Sequence, residues 1–134
     1  MAHILFIESD HLLGSNAKKI LQHSGHSVDW HVDPQAALDS ADGAQPDIIV
    51  LDLILAARSG VEFLYELRSY PDWANLPVII YSNVPVEEFA GAGVGALQLD
   101  IAAYHYKPAT SITQLCRSVD QILRPTDVNF RLRV

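Results

Sequence analysis

Apolar segments in this chain end, each time, on a polar or charged side chain. Ile4-Leu5-Phe6-Ile7 gives way to Glu8-Ser9-Asp10, Ile48-Ile49-Val50-Leu51 to Asp52, Val78-Ile79-Ile80-Tyr81 to Ser82, and Tyr104-His105-Tyr106 to Lys107-Pro108. Runs without alternation read as strands buried on both faces, the pattern of a parallel sheet covered by helices. Ser27 to Val32 alternates instead and predicts a short second strand.

Between the strands the apolar spacing becomes helical. Leu13, Ala17, Ile20 and Leu21 share one face of a first helix, and Gly25 stands where its C-cap belongs. Asp33-Pro34 supplies an N-cap and a first-turn proline to a second helix with Ala36, Ala37 and Ala41 on its inner face. Val61, Phe63, Leu64 and Leu67 outline a third helix that stops before Pro71, and Pro77 opens the fourth strand. Between Pro85 and Asp100, Gly91, Gly93 and Gly95 each weaken a helix by about 1 kcal/mol relative to alanine, so a short or frayed fourth helix is expected. Thr110 or Ser111 caps the last helix, whose Ile112, Leu115, Val119 and Ile122 face the core.

Five strand–helix units in succession require right-handed crossovers and a parallel sheet covered on both sides. Strand ends then gather along one edge, beside the crevice where open α/β sheets bind their ligands. The 134 residues, 49% of them apolar, suit one domain over 1–123. Residues 124–134 alternate polar and apolar side chains and fall outside that plan, as a tail, an added edge strand, a linker or a partner-binding arm.

Charge and composition narrow the function. A net charge of −7 leaves no basic surface for direct nucleic-acid binding. Cys116 is the only cysteine, which excludes a disulfide framework and a cysteine zinc site, and it reads as a small buried apolar residue. No apolar stretch is long enough for a membrane span, and Met1-Ala2-His3 is no signal-peptide start, so the chain reads as cytosolic. The scattered histidines read as solvated surface residues, with His23 and His26 straddling Gly25, and Trp73 as a cover for the end of the third helix. No P-loop occurs.

The strand-end residues, taken with their spacing, resemble the receiver domain of two-component response regulators. Asp47-Ile48-Ile49-Val50-Leu51-Asp52-Leu53-Ile54-Leu55 followed by Ser59-Gly60 is similar to the family's phosphoacceptor segment, with Asp52 at the acceptor position. Ser82 matches the hydroxyl after the fourth strand, Lys107-Pro108 the lysine with its usual cis peptide bond, and Tyr104 the aromatic switch position. The resemblance covers roughly residues 3 to 123 and implies a flavodoxin-like, doubly wound sheet of order 2-1-3-4-5. It also implies a histidine kinase or phosphotransfer protein as donor, a downstream effector, and a homodimer through the last helix and fifth strand.

The chemistry of these residues agrees. Phosphoryl transfer to a carboxylate needs a nucleophile, a cation and aimed donors. Asp52 is the nucleophile, Lys107 pairs with phosphoryl charge, and Ser82 donates to one of its oxygens. Glu8, Asp10 and Asp52, with a main-chain carbonyl after Asp52, form an oxygen set suited to Mg²⁺. One position departs from the family. Receivers place two adjacent acids after the first strand, and here the second is Ser9, with Asp10 one residue later and also suited to cap the first helix. Three functions follow in order: a phosphoaccepting receiver, with at most self-catalysed phosphoryl transfer and no enzyme activity on other substrates; a pseudo-receiver interaction module; and a flavodoxin-like small-molecule binder.

Overall fold

A computed structural model of the chain describes residues 2–56, 58–91 and 99–124. The predicted strands form as β1 His3–Ile7, β2 Ser27–His31, β3 Ile48–Leu51, β4 Val78–Ser82 and β5 Ala103–Tyr106. Helices α1 His11–His23, α2 Pro34–Gly43, α3 Gly60–Ser69, α4 Val86–Ala90 and α5 Ile112–Ile122 connect and follow them. All neighbouring strands are parallel, in the order β2-β1-β3-β4-β5, the doubly wound, flavodoxin-like sheet that the resemblance implied. The expected short fourth helix is the five-residue α4. Residues 92–98 and the expected tail at 125–134 lie outside the described residues.

Side-chain alternation in the strands feeds two cores. Leu5, Ile7, Ile49, Leu51 and Ile80 pack with Ala37 and Leu38 of α2 and Phe63, Leu64 and Leu67 of α3. Ile4, Phe6, Ile48, Val50 and Ile79 pack with Ala17 and Leu21 of α1 and Leu115 and Val119 of α5. Burying each of the valine, leucine, isoleucine and phenylalanine side chains here stabilises the fold by roughly 1.5–3 kcal/mol, which is why these positions outweigh the weak propensity of the short helices. Local signals then set the ends. Asp10, Asp33 and Ser59 cap their helices through side-chain oxygens, and Ser111, rather than Thr110, makes a capping box with Gln114. Gly25, at φ 96°, closes α1 in a Schellman turn, with His26 N donating to Leu21 O.

Some expectations change. Ile20 is 36% exposed, because the buried face of α1 runs through Gly14, Ala17 and Leu21 instead. The His26 side chain is only 8% exposed rather than solvated. Packing α5 beside α1 sets Asp120 Oδ1 2.7 Å from its Nε2, while its Nδ1 accepts from Ala2 N at 3.2 Å. The Lys107–Pro108 peptide is trans, not cis, and residues 107–109 form a 3-10 turn closed by Thr110 N donating to Lys107 O. Cys116 is buried as expected, and Trp73 is buried edge-on against Tyr70.

Arg68, at the end of α3, ties two connections together. Its guanidinium donates to the carbonyls of Trp73, Ala74 and Leu76 before β4 and of Leu99 and Asp100 before β5. Asp100 has a φ of 53°, a conformation that this clamp supports from the carbonyl side. Removing the fork leaves several carbonyls without donors, so Arg68→Met should lose about 3 kcal/mol in urea denaturation. Arg68→Lys should recover little, because one ammonium cannot span both connections.

Candidate functional site

The carboxyl edge of the sheet collects the strand-end residues. Beyond the last β1–β3 pair, Ile7 with Leu51, Asp52 N donates to Ile7 O at 3.1 Å, so Glu8 and Asp52 emerge side by side. Both are buried, at 1% and 4% exposure. Lys107, arriving from β5, places Nζ 2.7 Å from Asp52 Oδ2 and 2.8 Å from Glu8 Oε1. The ammonium is therefore shared by two buried carboxylates, a cluster of net charge −1.

Each carboxylate is also held from its own chain. Asp52 Oδ1 accepts from Ile54 N at 3.0 Å, and Glu8 Oε2 accepts from Asp10 N at 3.0 Å. Glu8 Oε1 meets Lys107 outside hydrogen-bonding geometry, so that contact is one of charge and this buried oxygen has no directed donor. The loop after Asp52 doubles back to α3, and Gly60 is required there: a Cβ would lie 2.6 Å from both Asp52 O and Leu53 Cα.

The electrostatics follow from burial. Burial raises Glu8 above the ordinary carboxylate value, outweighing the downward pull of Lys107 and the Asp10 amide, and Asp52 adds to the rise. Burial alone would lower Lys107, but its hydrogen bond to Asp52 and the close negative charges of Glu8 and Asp52 win and hold it above the ordinary lysine value. Tyr104 is pushed up to about 12, first by burial and then by Asp52, Glu88 and Glu87.

Not every predicted residue joins this cluster. Asp10 turns its Oδ1 to the amides of Leu12 and Leu13 and serves as the α1 cap. Ser9 Oγ points to Ile54 O at 3.5 Å. Among the described residues, no three His, Cys, Asp or Glu side chains converge as a metal site. Glu8 and Asp52 are the carboxylates that could hold a divalent cation, since Glu8 Oε1 lacks a directed donor and Mg²⁺ often uses one or two carboxylates with several waters. Ser82 ends β4 fully buried, with Oγ accepting from Val84 N at 3.3 Å. Tyr104 OH donates to Val84 O at 2.5 Å and its ring packs 5.4 Å from Phe89, so the two switch candidates meet at one residue.

Sequence reasoning missed two supporting aromatics. Tyr81 lies under the Lys107 ammonium, 5.8 Å from ring centroid to Nζ, and its hydroxyl donates to Thr110 O in the turn that follows the lysine. Trp30 donates from Nε1 to Glu8 O at 2.9 Å. Tyr81 had a signal in its place just before Ser82; Trp30 had none, since its contact crosses from β2 to the end of β1.

A parallel sheet of this order, with a buried aspartate and lysine paired at its carboxyl edge, defines a flavodoxin-like α/β domain whose site is a shielded carboxylate. The chain belongs to the response regulator receiver domain family, whose model matches residues 4–120. TcrX of Mycobacterium tuberculosis, named a probable transcriptional regulatory protein, is 29% identical over 125 residues, covering 93% of this chain and 51% of that protein. TcrA of the same organism, a transcriptional regulatory protein, is 28% identical over 69% of this chain and 37% of its own length. This chain thus spans about half or less of those relatives. The chemotaxis protein CheY4 of Vibrio cholerae superposes with a TM-score of 0.78 at 21% identity, over 92% of this chain and 99% of that one. The response regulator Rcp1, solved in a Mn²⁺-bound form, superposes at 0.73 with 20% identity over 90% of this chain and 93% of its own. No helix among the described residues is long and apolar enough to cross a membrane.

Replacing Lys107 by Met leaves two buried carboxylates without their cation, so the variant should lose about 3 kcal/mol or more at neutral pH. The folded pKa of Glu8, already raised by burial, then lies further above its unfolded value. Below about 4.5, the ordinary value for Glu, Glu8 is protonated in both states and its share of the loss should be small; the loss should grow as pH rises. Urea denaturation from pH 4 to 8 measures it, and a pH-independent loss would mean that Lys107 stabilises by packing alone.

Proposed function

We propose that this receiver accepts a phosphoryl group on Asp52 and passes the resulting change to a partner. The observation that carries this reading is the Asp52–Lys107 pair, a buried carboxylate 2.7 Å from a cation at the sheet edge. Asp52 Oδ1 stays held by the Ile54 amide while Oδ2 attacks phosphorus, and the donor's leaving group departs with the bonding pair. Lys107 then moves its charge from the carboxylate to the phosphoryl oxygens. Glu8 and Asp52 are the residues that would hold Mg²⁺, which when bound supplies charge neutralisation at those oxygens.

The relay runs through Ser82. When its hydroxyl turns toward the phosphoryl group it leaves Val84 N, and the segment that binds Tyr104 OH shifts with it. Tyr104 then repacks against Phe89, and the face formed by α4, β5 and α5, where Val86 and Tyr106 are exposed, changes shape. A histidine kinase or phosphotransfer protein is the donor, and an effector or a second copy of this chain is the reader of that face. Phosphorylation moves this equilibrium only as far as its contacts differ between the two states.

Incubation with acetyl phosphate and Mg²⁺ should add one phosphoryl group by intact-protein mass spectrometry, and Asp52→Asn should take up none. Equal modification of both proteins would remove Asp52 from the reaction. Ser9→Asp restores a carboxylate where the family has one, and should tighten Mg²⁺ binding at least tenfold, about 1.4 kcal/mol, and speed phosphorylation. Unchanged Mg²⁺ titrations in Ser9→Asp and Asp10→Ala would favour an interaction module that works without the metal.

A further inference from the structure

Glu8 is held by more than its charge partner. The last backbone rung between β1 and β2 is Glu8 N donating to His31 O at 3.0 Å. Beyond it β2 turns into the Asp33 cap of α2, and no backbone amide from that strand reaches the Glu8 carbonyl. The indole of Trp30 reaches back instead, donating from Nε1 to Glu8 O at 2.9 Å. A side chain thus completes the ladder at the residue that turns into the site.

The indole has a seat built for it in α1. A Cβ on Gly14 would lie 2.2 Å from Trp30 Cζ2, 2.3 Å from Cε2 and 2.8 Å from Nε1, so no other residue fits there without expelling the ring. A glycine inside a helix costs about 1 kcal/mol relative to alanine, and α1 bears that cost at the position where the ring lies. The His11 ring covers the open edge at 6.0 Å between centroids. A partially exposed tryptophan that only filled space would need neither the slot nor an acceptor aligned with Nε1.

We propose that Trp30 is a positioning residue for the site: seated on Gly14, its N–H sets the Glu8 main chain, and so directs the Glu8 carboxylate to the ammonium it shares with Asp52. The proposal deepens the phosphoacceptor reading and rests on it for its role in the reaction. Its structural half stands separately, because the Glu8–Lys107 contact exists without phosphorylation. Groups that support metal-site carboxylates commonly contribute 10–100-fold to metal affinity, which sets the scale to look for.

The test compares Trp30→Phe, which keeps a ring but loses the donor, with Gly14→Ala, which keeps the donor but displaces it. Trp73→Phe, an aromatic change in the opposite core, controls for general loosening. In metal-free protein, the Glu8 carboxyl ¹³C and Lys107 side-chain NMR signals should shift in both test variants and stay in place in the control. Mg²⁺ alone, titrated by the same signals, should bind about tenfold more weakly in the test variants. The phosphorylation rate should fall at low Mg²⁺ and return to within about twofold of wild type at saturation, the split expected of a group acting through a ligand's position. Unmoved Glu8 and Lys107 signals in Trp30→Phe would overturn the proposal, as would an equal shift in Trp73→Phe. If wild type shows no mass gain with acetyl phosphate, the phosphoacceptor reading fails, while the metal-free signals still decide whether Trp30 positions Glu8.

Discussion

The ammonium of Lys107 stands between two buried carboxylates, Glu8 and Asp52, and much of the surrounding structure keeps it there. Burying such a cluster is costly unless geometry and auxiliary hydrogen bonds are good. The auxiliary bonds come from main-chain amides two residues along, Ile54 for Asp52 and Asp10 for Glu8, so the strand ends themselves hold the acids. Tyr81 supports the lysine from beneath and ties the following turn through Thr110. With both acids ionised the cluster carries one surplus negative charge, which favours a further cation beside it.

The parallel sheet is what makes this arrangement affordable in structural terms. β1 and β3 are adjacent at its centre, covered on both faces, so their carboxyl ends emerge together in a site that water barely reaches. The connection after β3 on the same edge folds back closely at Gly60, where the α3 terminus crosses within contact of the Asp52 main chain. The connections before β4 and β5 are tied by Arg68 instead. One edge of the domain is thereby organised around charge pairing, and these connections by a guanidinium that satisfies carbonyls.

The two switch candidates, Ser82 and Tyr104, hydrogen-bond to one residue. Val84 N donates to Ser82 Oγ and Val84 O accepts from Tyr104 OH, so in the proposed relay a hydroxyl leaving one side would disturb the other. The Tyr104 hydroxyl is a donor at neutral pH, and burial first, then Asp52, Glu88 and Glu87, push its pKa up to about 12.

Sequence alone determined the strands, the parallel sheet and the caps, because burial on both faces forces unbroken apolar runs and because Asp33-Pro34 and Gly25 act within one turn of chain. It also singled out Asp52, Glu8 and Lys107, since polar groups at the ends of such runs have no packing role. Only the tertiary structure decided which of these meet. In the sequence Asp10 is open between capping α1 and binding a metal, and in the fold it caps α1 while Glu8 turns inward to Lys107. His26 looked solvated until α5 brought Asp120 across to it. Gly14 and Trp30 carry no mutual pattern at all, being on different elements, and their match exists only where α1 packs on the edge strand. Periodicity reports how one segment faces the core; it carries no record of which side chain arrives from elsewhere to fill a slot or neutralise a charge.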